Sequence, residues 1–98
     1  MARLTRLHAA EPLIWRVQLA SLRSLEGARK SWNTMKRAHA DVLKRMEPVI
    51  ERVDLGHKGV HHPLQTGPLK GRADVKDLCA AIKRRIPGQD CILVPPNR

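Results

Sequence analysis

Two stretches of this chain carry the same change of rhythm. From Leu13 the residues alternate, with Leu13, Trp15, Val17 and Leu19 on one side and Ile14, Arg16 and Gln18 on the other. Successive strand side chains point to opposite faces, so the pattern predicts a strand with one mostly apolar face and one mixed, more polar face. After Ser24 the period lengthens to about 3.6 residues, and Leu25, Ala28, Trp32, Met35 and His39 fall on one helical stripe. Arg29, Lys30, Lys36 and Arg37 lie largely outside that stripe. The Ser24 hydroxyl is the expected N-cap, and the helix is expected to run to about Lys44 to Met46. Pro48 cannot donate to a central ladder, so Pro48 to Leu55 reads as an edge strand, closed by the turn Gly56-His57-Lys58-Gly59.

The second stretch opens at Val60 and passes a sharp Gly67-Pro68 break. It enters a helix with the stripe Val75, Leu78, Cys79, Ile82 and Ile86, which Pro87 and Gly88 stop. Asp90 to Val94 is the last expected strand, ended by Pro95-Pro96. The two stretches align at a constant offset of 47 residues, the distance from Gln18 to Gln65. Val17 falls on Leu64, Leu22 on Leu69, Ala28 on Val75, Trp32 on Cys79, Met35 on Ile82, Lys36 on Lys83 and Arg37 on Arg84. The order strand, helix, strand, written twice, predicts an α+β, ferredoxin-like (RNP-like) split βαβ fold. In it a four-stranded antiparallel sheet carries two helices on one face and leaves the other open. The first and third strands are the expected central pair, so the open face should bear Arg16 and Gln18 beside His61, Pro63 and Gln65.

At 98 residues one domain is expected, over 13–96, with repeat one at 13–55, repeat two at 60–94, and frayed ends at 1–12 and 97–98. Phe and Tyr are absent, so the core must come from Leu, Ile, Val, Ala and Met around Trp15 and Trp32. The formal charge of +10 favours a polyanionic partner such as nucleic acid, a membrane surface or an anionic wall polymer, without choosing among them. No apolar run approaches the about 20 residues that span a bilayer, and Arg3, Arg6 and His8 break up the opening segment as a secretory signal. Work outside the cytoplasm would therefore make the chain part of a longer exported protein. Cys79 and Cys91 match neither a C-x-x-C redox motif nor a zinc knuckle, leaving a disulfide or two buried thiols open. His61 and His62 are adjacent on a strand and point to opposite faces, which argues against a metal site, and no cofactor is expected. Asp54, Asp74, Asp77 and Asp90 fall at turns or helix starts rather than in an acid pair, so no enzyme activity is expected.

The segments Trp15-Arg16-Val17-Gln18-Leu19-Ala20-Ser21-Leu22 and His62-Pro63-Leu64-Gln65-Thr66-Gly67-Pro68-Leu69 resemble the two repeats of the SPOR (sporulation-related repeat) family. That family duplicates a V-Q-L-G-S-F type strand and an R-V-x-x-G-P-F type strand, each followed by a helix. The resemblance runs from about Leu13 to Val94 and includes Asp54-Leu55-Gly56 with Gly59, and Leu78 to Lys83 leading to Asp90-Cys91. It implies a module of bacterial envelope proteins, in the periplasm or cell envelope, that binds peptidoglycan glycan strands denuded of their stem peptides at the division septum. Such strands carry a lactyl carboxylate on every second sugar, which a basic domain attracts at long range.

Carried over to this chain, the family's binding positions are Gln18 and Ser21, both retained. A facing ring falls on His61 and a following basic position falls on Pro63, both changed. Gln65 repeats Gln18 on the neighbouring strand, and Arg16 and Arg52 are candidate contacts to carboxylates. In an exported protein Cys79 and Cys91 are expected to be bridged. Single-stranded RNA binding is the rival reading, because RNA-recognition domains share this element order. They stack bases on Phe or Tyr, which this chain lacks, so no nucleic-acid partner is expected. A protein-interaction module is the third reading. A monomer is expected.

Overall fold

The computed structural model describes residues 13–96; the expected frayed segment 1–12 and the tail 97–98 lie outside them. In chain order the elements are β1 (Trp15–Leu22), α1 (Leu25–Ala38), α2 (Ala40–Leu43), β2 (Glu47–Ile50) and β3 (Val53–Asp54). A 3₁₀ turn (Gly56–Lys58), β4 (Val60–Leu69), α3 (Arg72–Arg85) and β5 (Ile92–Val94) follow. All pairings are antiparallel in the order β2-β4-β1-β5, with β3 also pairing β4, so the first strands of the two repeats are central. This is the split βαβ arrangement.

The apolar stripes predict the buried layer well. Ala28, Trp32 and Met35 from α1 and Val75, Leu78 and Ile82 from α3 are buried, with Trp32 and Met35 and all three α3 residues in one cluster with Val17, Leu19, Leu64 and Leu69 of the central strands. Each of the larger ones contributes roughly 1.5–3 kcal/mol. The stripe ends do not follow: Leu25 and Ile86 are exposed, because each lies at a helix end beyond the layer's edge. Ser24 caps α1, its Oγ accepting the Gly27 N–H at 2.9 Å. Cys79 of α3 and Cys91, which leads into β5, are joined by a disulfide with their Cα atoms 5.5 Å apart.

Four boundaries differ from expectation. The first helix does not reach Met46: His39 leaves the helical region (φ −126°, ψ 42°), and α2 follows as a separate turn. A straight helix to Met46 would be about 33 Å long, more than the roughly 26 Å an eight-residue strand spans. The break keeps Leu43 fully buried. Next, the Pro48 to Leu55 strand is two strands, β2 and β3, parted at Glu51-Arg52. Pro63 lies opposite, and its missing N–H leaves a gap in the ladder. Glu51 N–H still donates to the Pro63 carbonyl at 3.2 Å. The Glu51 carbonyl, which a residue other than proline would serve, accepts from His62 Nδ1–H at 3.1 Å instead.

Third, Gly67-Pro68 does not break the strand; the peptide bond is cis and β4 continues to Leu69. Last, β5 begins at Ile92 rather than Asp90. The Gln89 side chain, donating to the Leu19 carbonyl at 2.8 Å, holds the approach to it.

Two register irregularities shape the central pair. Between Trp15 and Val17 β1 advances two residues while β4 advances three, which places the extra residue at Gly67-Pro68. Between Gln18 and Ala20 β1 advances two while β4 advances one, so Leu19 is the extra residue of a β-bulge. Leu19 is buried in the core and Ala20 packs against it, both on the helix side.

Candidate functional site

The bulge at Leu19 decides which side chains share the helix-free face. Gln18 and Ser21 are three residues apart, and strict alternation would place them on opposite faces. With Leu19 and Ala20 both turned to the core, Ser21 returns to the face of Gln18 and pairs with Pro63, while Gln18 pairs with Gln65. Alternation along β4 then puts His61, Pro63 and Gln65 on that same face.

Register extends the central row across the sheet: Val49 of β2, Gln65 of β4, Gln18 of β1 and Ile92 of β5 stand side by side. Gln65 Nε2–H donates to Gln18 Oε1 at 3.5 Å, a long contact that orients both amides. The pair leaves the Gln18 amino group and the Gln65 carbonyl oxygen for a further partner. Gln65 is only 8% exposed, deeper than an open platform predicts, yet it lines a concavity of about 220 Å³ with Arg16, Glu51, Val94 and Pro95. This trough crosses the sheet diagonally, from the end of β5 over β1 and β4 to the end of β2. At a strand spacing of about 4.8 Å it spans roughly 14 Å.

Arg16 is shared with a second concavity lined by Ile14, Glu47, Val49, Gly67 and Pro68. Its course depends on Gly67, where a Cβ would stand 2.9 Å from the Trp15 carbonyl oxygen and 3.2 Å from Arg16 Cγ. Only glycine leaves room for that close crossing.

The remaining candidates are more scattered. His61 pairs with Val53 of β3, and its ring Nε2–H donates to the Lys58 carbonyl at 3.3 Å, tying it to the turn. Arg52 is exposed in the link between β2 and β3 and lines neither concavity. In its place the structure brings Glu51 and Glu47 to this face, two carboxylates that alternation alone did not single out. Their faces become readable only once the β2–β4 register is known. The exposed cations Arg29, Lys30, Arg37, Lys76, Lys83 and Arg84 lie instead on α1 and α3. Neither tryptophan reaches the open face: Trp32 is in the core, and Trp15 packs on the core with the Arg72 guanidinium 5.5 Å from its ring centroid.

An open sheet face with paired amides on a duplicated split βαβ frame is the architecture expected of a SPOR domain. The family comparison agrees: the SPOR domain model matches residues 14–95, and the chain belongs to that family. Among solved structures it is similar to the SPOR domain of RlpA from Pseudomonas aeruginosa, with a TM-score of 0.62 at 15% identity over 84% of this chain and 99% of that one. It is also similar to the peptidoglycan binding domain of the B. subtilis cell wall lytic enzyme CwlC, with a TM-score of 0.61 at 16% identity over 90% of this chain and 95% of that one. No curated protein sequence matches the chain.

Proposed function

We propose that this chain is a non-catalytic peptidoglycan-binding module that takes glycan strands, denuded of stem peptides, along the open face of its sheet. In that role it directs a parent envelope protein to the division septum. The observation that carries this reading is the cross-strand pair Gln18 and Gln65 at the centre of the helix-free face. An amide offers a donor and an acceptor together, which matches the hydroxyl and acetamido groups repeated along a glycan. Membership in the SPOR family supports the ligand class, as does the likeness to a domain described as peptidoglycan binding. The Cys79–Cys91 bridge supports a place in the oxidising envelope, where disulfides persist. Among the described residues no helix is long and apolar enough to cross a membrane.

The contacts we assign are Gln18, Gln65, Ser21 and Arg16, with His61 and Pro63 at the margin and Arg52 beyond it. Purified protein is expected to co-sediment with sacculi rich in denuded glycan. Gln18→Ala combined with Ser21→Ala should reduce the bound fraction several-fold while leaving the circular dichroism spectrum intact. Sedimentation no greater than that of a charge-matched control domain refutes the reading.

A further inference from the structure

Arg16 and Glu51 line one trough from opposite ends, with the Gln65 amide between them, yet they do not pair with each other. Among the described residues the ion pair within bonding range is Arg85–Asp41, on the helix side. Two opposite charges left apart across one concavity suit a ligand that carries both charges. The wider face adds to this. Arg16, which lines both concavities, is flanked by Glu51 in one and Glu47 in the other, so in a chain of charge +10 these two concavities hold two carboxylates to one cation. A ligand bearing only carboxylates would satisfy Arg16 and leave Glu51 facing like charge.

Resting on the glycan reading above, we propose that Glu51 is a specificity residue for amino sugars that have lost their acetyl group. The carboxylate of a lactyl-bearing sugar would meet the Arg16 guanidinium. A free sugar ammonium would meet the Glu51 carboxylate, and the Gln65 amide would span the hydroxyls between. An acetamido group is neutral and gives Glu51 a single N–H; an ammonium gives it charge and three donors.

The test compares soluble denuded glycan oligosaccharides in two forms, fully N-acetylated and chemically de-N-acetylated, by calorimetric titration at low salt. The readout is the ratio of the two affinities. The parent protein is expected to favour the de-N-acetylated form about two- to five-fold, the range of a solvent-accessible ion pair. Glu51→Gln should bring the ratio to about one, and Glu26→Gln, the same charge change on α1, should keep it. A parent ratio of one or less overturns the inference, as does a preference that survives Glu51→Gln or is lost equally in Glu26→Gln. Equal binding of both forms sinks this inference alone, whereas binding of neither sinks the glycan reading beneath it.

Discussion

Three polar residues are buried among the described residues; Thr66 donates its hydroxyl to the Glu47 carbonyl at 2.8 Å, and the other two, Gln65 and His39, do opposite things. Gln65 is 8% exposed but spends its amide on Gln18 and on the trough, so its burial is compensated and directed. His39 is fully buried, and neither ring nitrogen has a hydrogen-bond partner. Burial lowers its pKa below the ordinary 6.5; the nearby Arg85 guanidinium lowers it further, and Asp41 opposes that. A neutral histidine buried this way binds fewer protons folded than unfolded, so stability rises with pH. Its contribution is fully present above pH 6.5 and is lost as the pH falls through the depressed folded value. Urea midpoints should therefore decline between pH 7 and pH 5, and His39→Leu should flatten that decline. An unchanged slope in the variant would show that other groups carry it.

The bulge, the prolines and the disulfide show what pattern reading reaches and what it misses. Periodicity and the 47-residue offset gave both helices, the central pair and the facing glutamines, because a repeated element must bury the same stripe. The site was less legible. That Gln18 and Ser21 share a face depends on one extra residue, Leu19, and nothing in the run Gln18-Leu19-Ala20-Ser21 marks it. Likewise the split of β2 from β3 follows from an absent N–H eleven residues or more away in the chain, at Pro63, with His62 standing in for it. Glu51 stayed hidden for the same reason, since its place is set by pairing with β4 and not by its neighbours in sequence. The disulfide acts on a different link, tying α3 to the approach of the three-residue edge strand β5 across a separation of 12 residues. Closing a loop of that length stabilises by about 3 kcal/mol. The double variant Cys79→Ala, Cys91→Ala should lose about that much in chemical denaturation, and a loss near zero would mean that packing of Leu93 and Val17 alone holds the edge.

The molecule as a whole separates two kinds of surface. Cations on α1 and α3 supply a broad positive field that falls off over about 10 Å in 0.1 M salt. The sheet face's two concavities, with Arg16, two carboxylates and the adjoining pair of glutamine amides, present a pattern of both charges rather than a single sign. Under the proposed function, attraction to an anionic wall and choice of a sugar sequence come from opposite sides of one layer. The absence of Phe and Tyr, with both tryptophans held away from the open face, removes the stacking on which an RNA-binding sheet relies. The most direct test of this account is an NMR titration of isotope-labelled protein with denuded glycan oligosaccharides. The side-chain amide signals of Gln18 and Gln65 and the backbone signals of Ser21 and Arg16 should move first and furthest. Shifts confined to α1 and α3, with both glutamine amides unmoved at saturation, would contradict it.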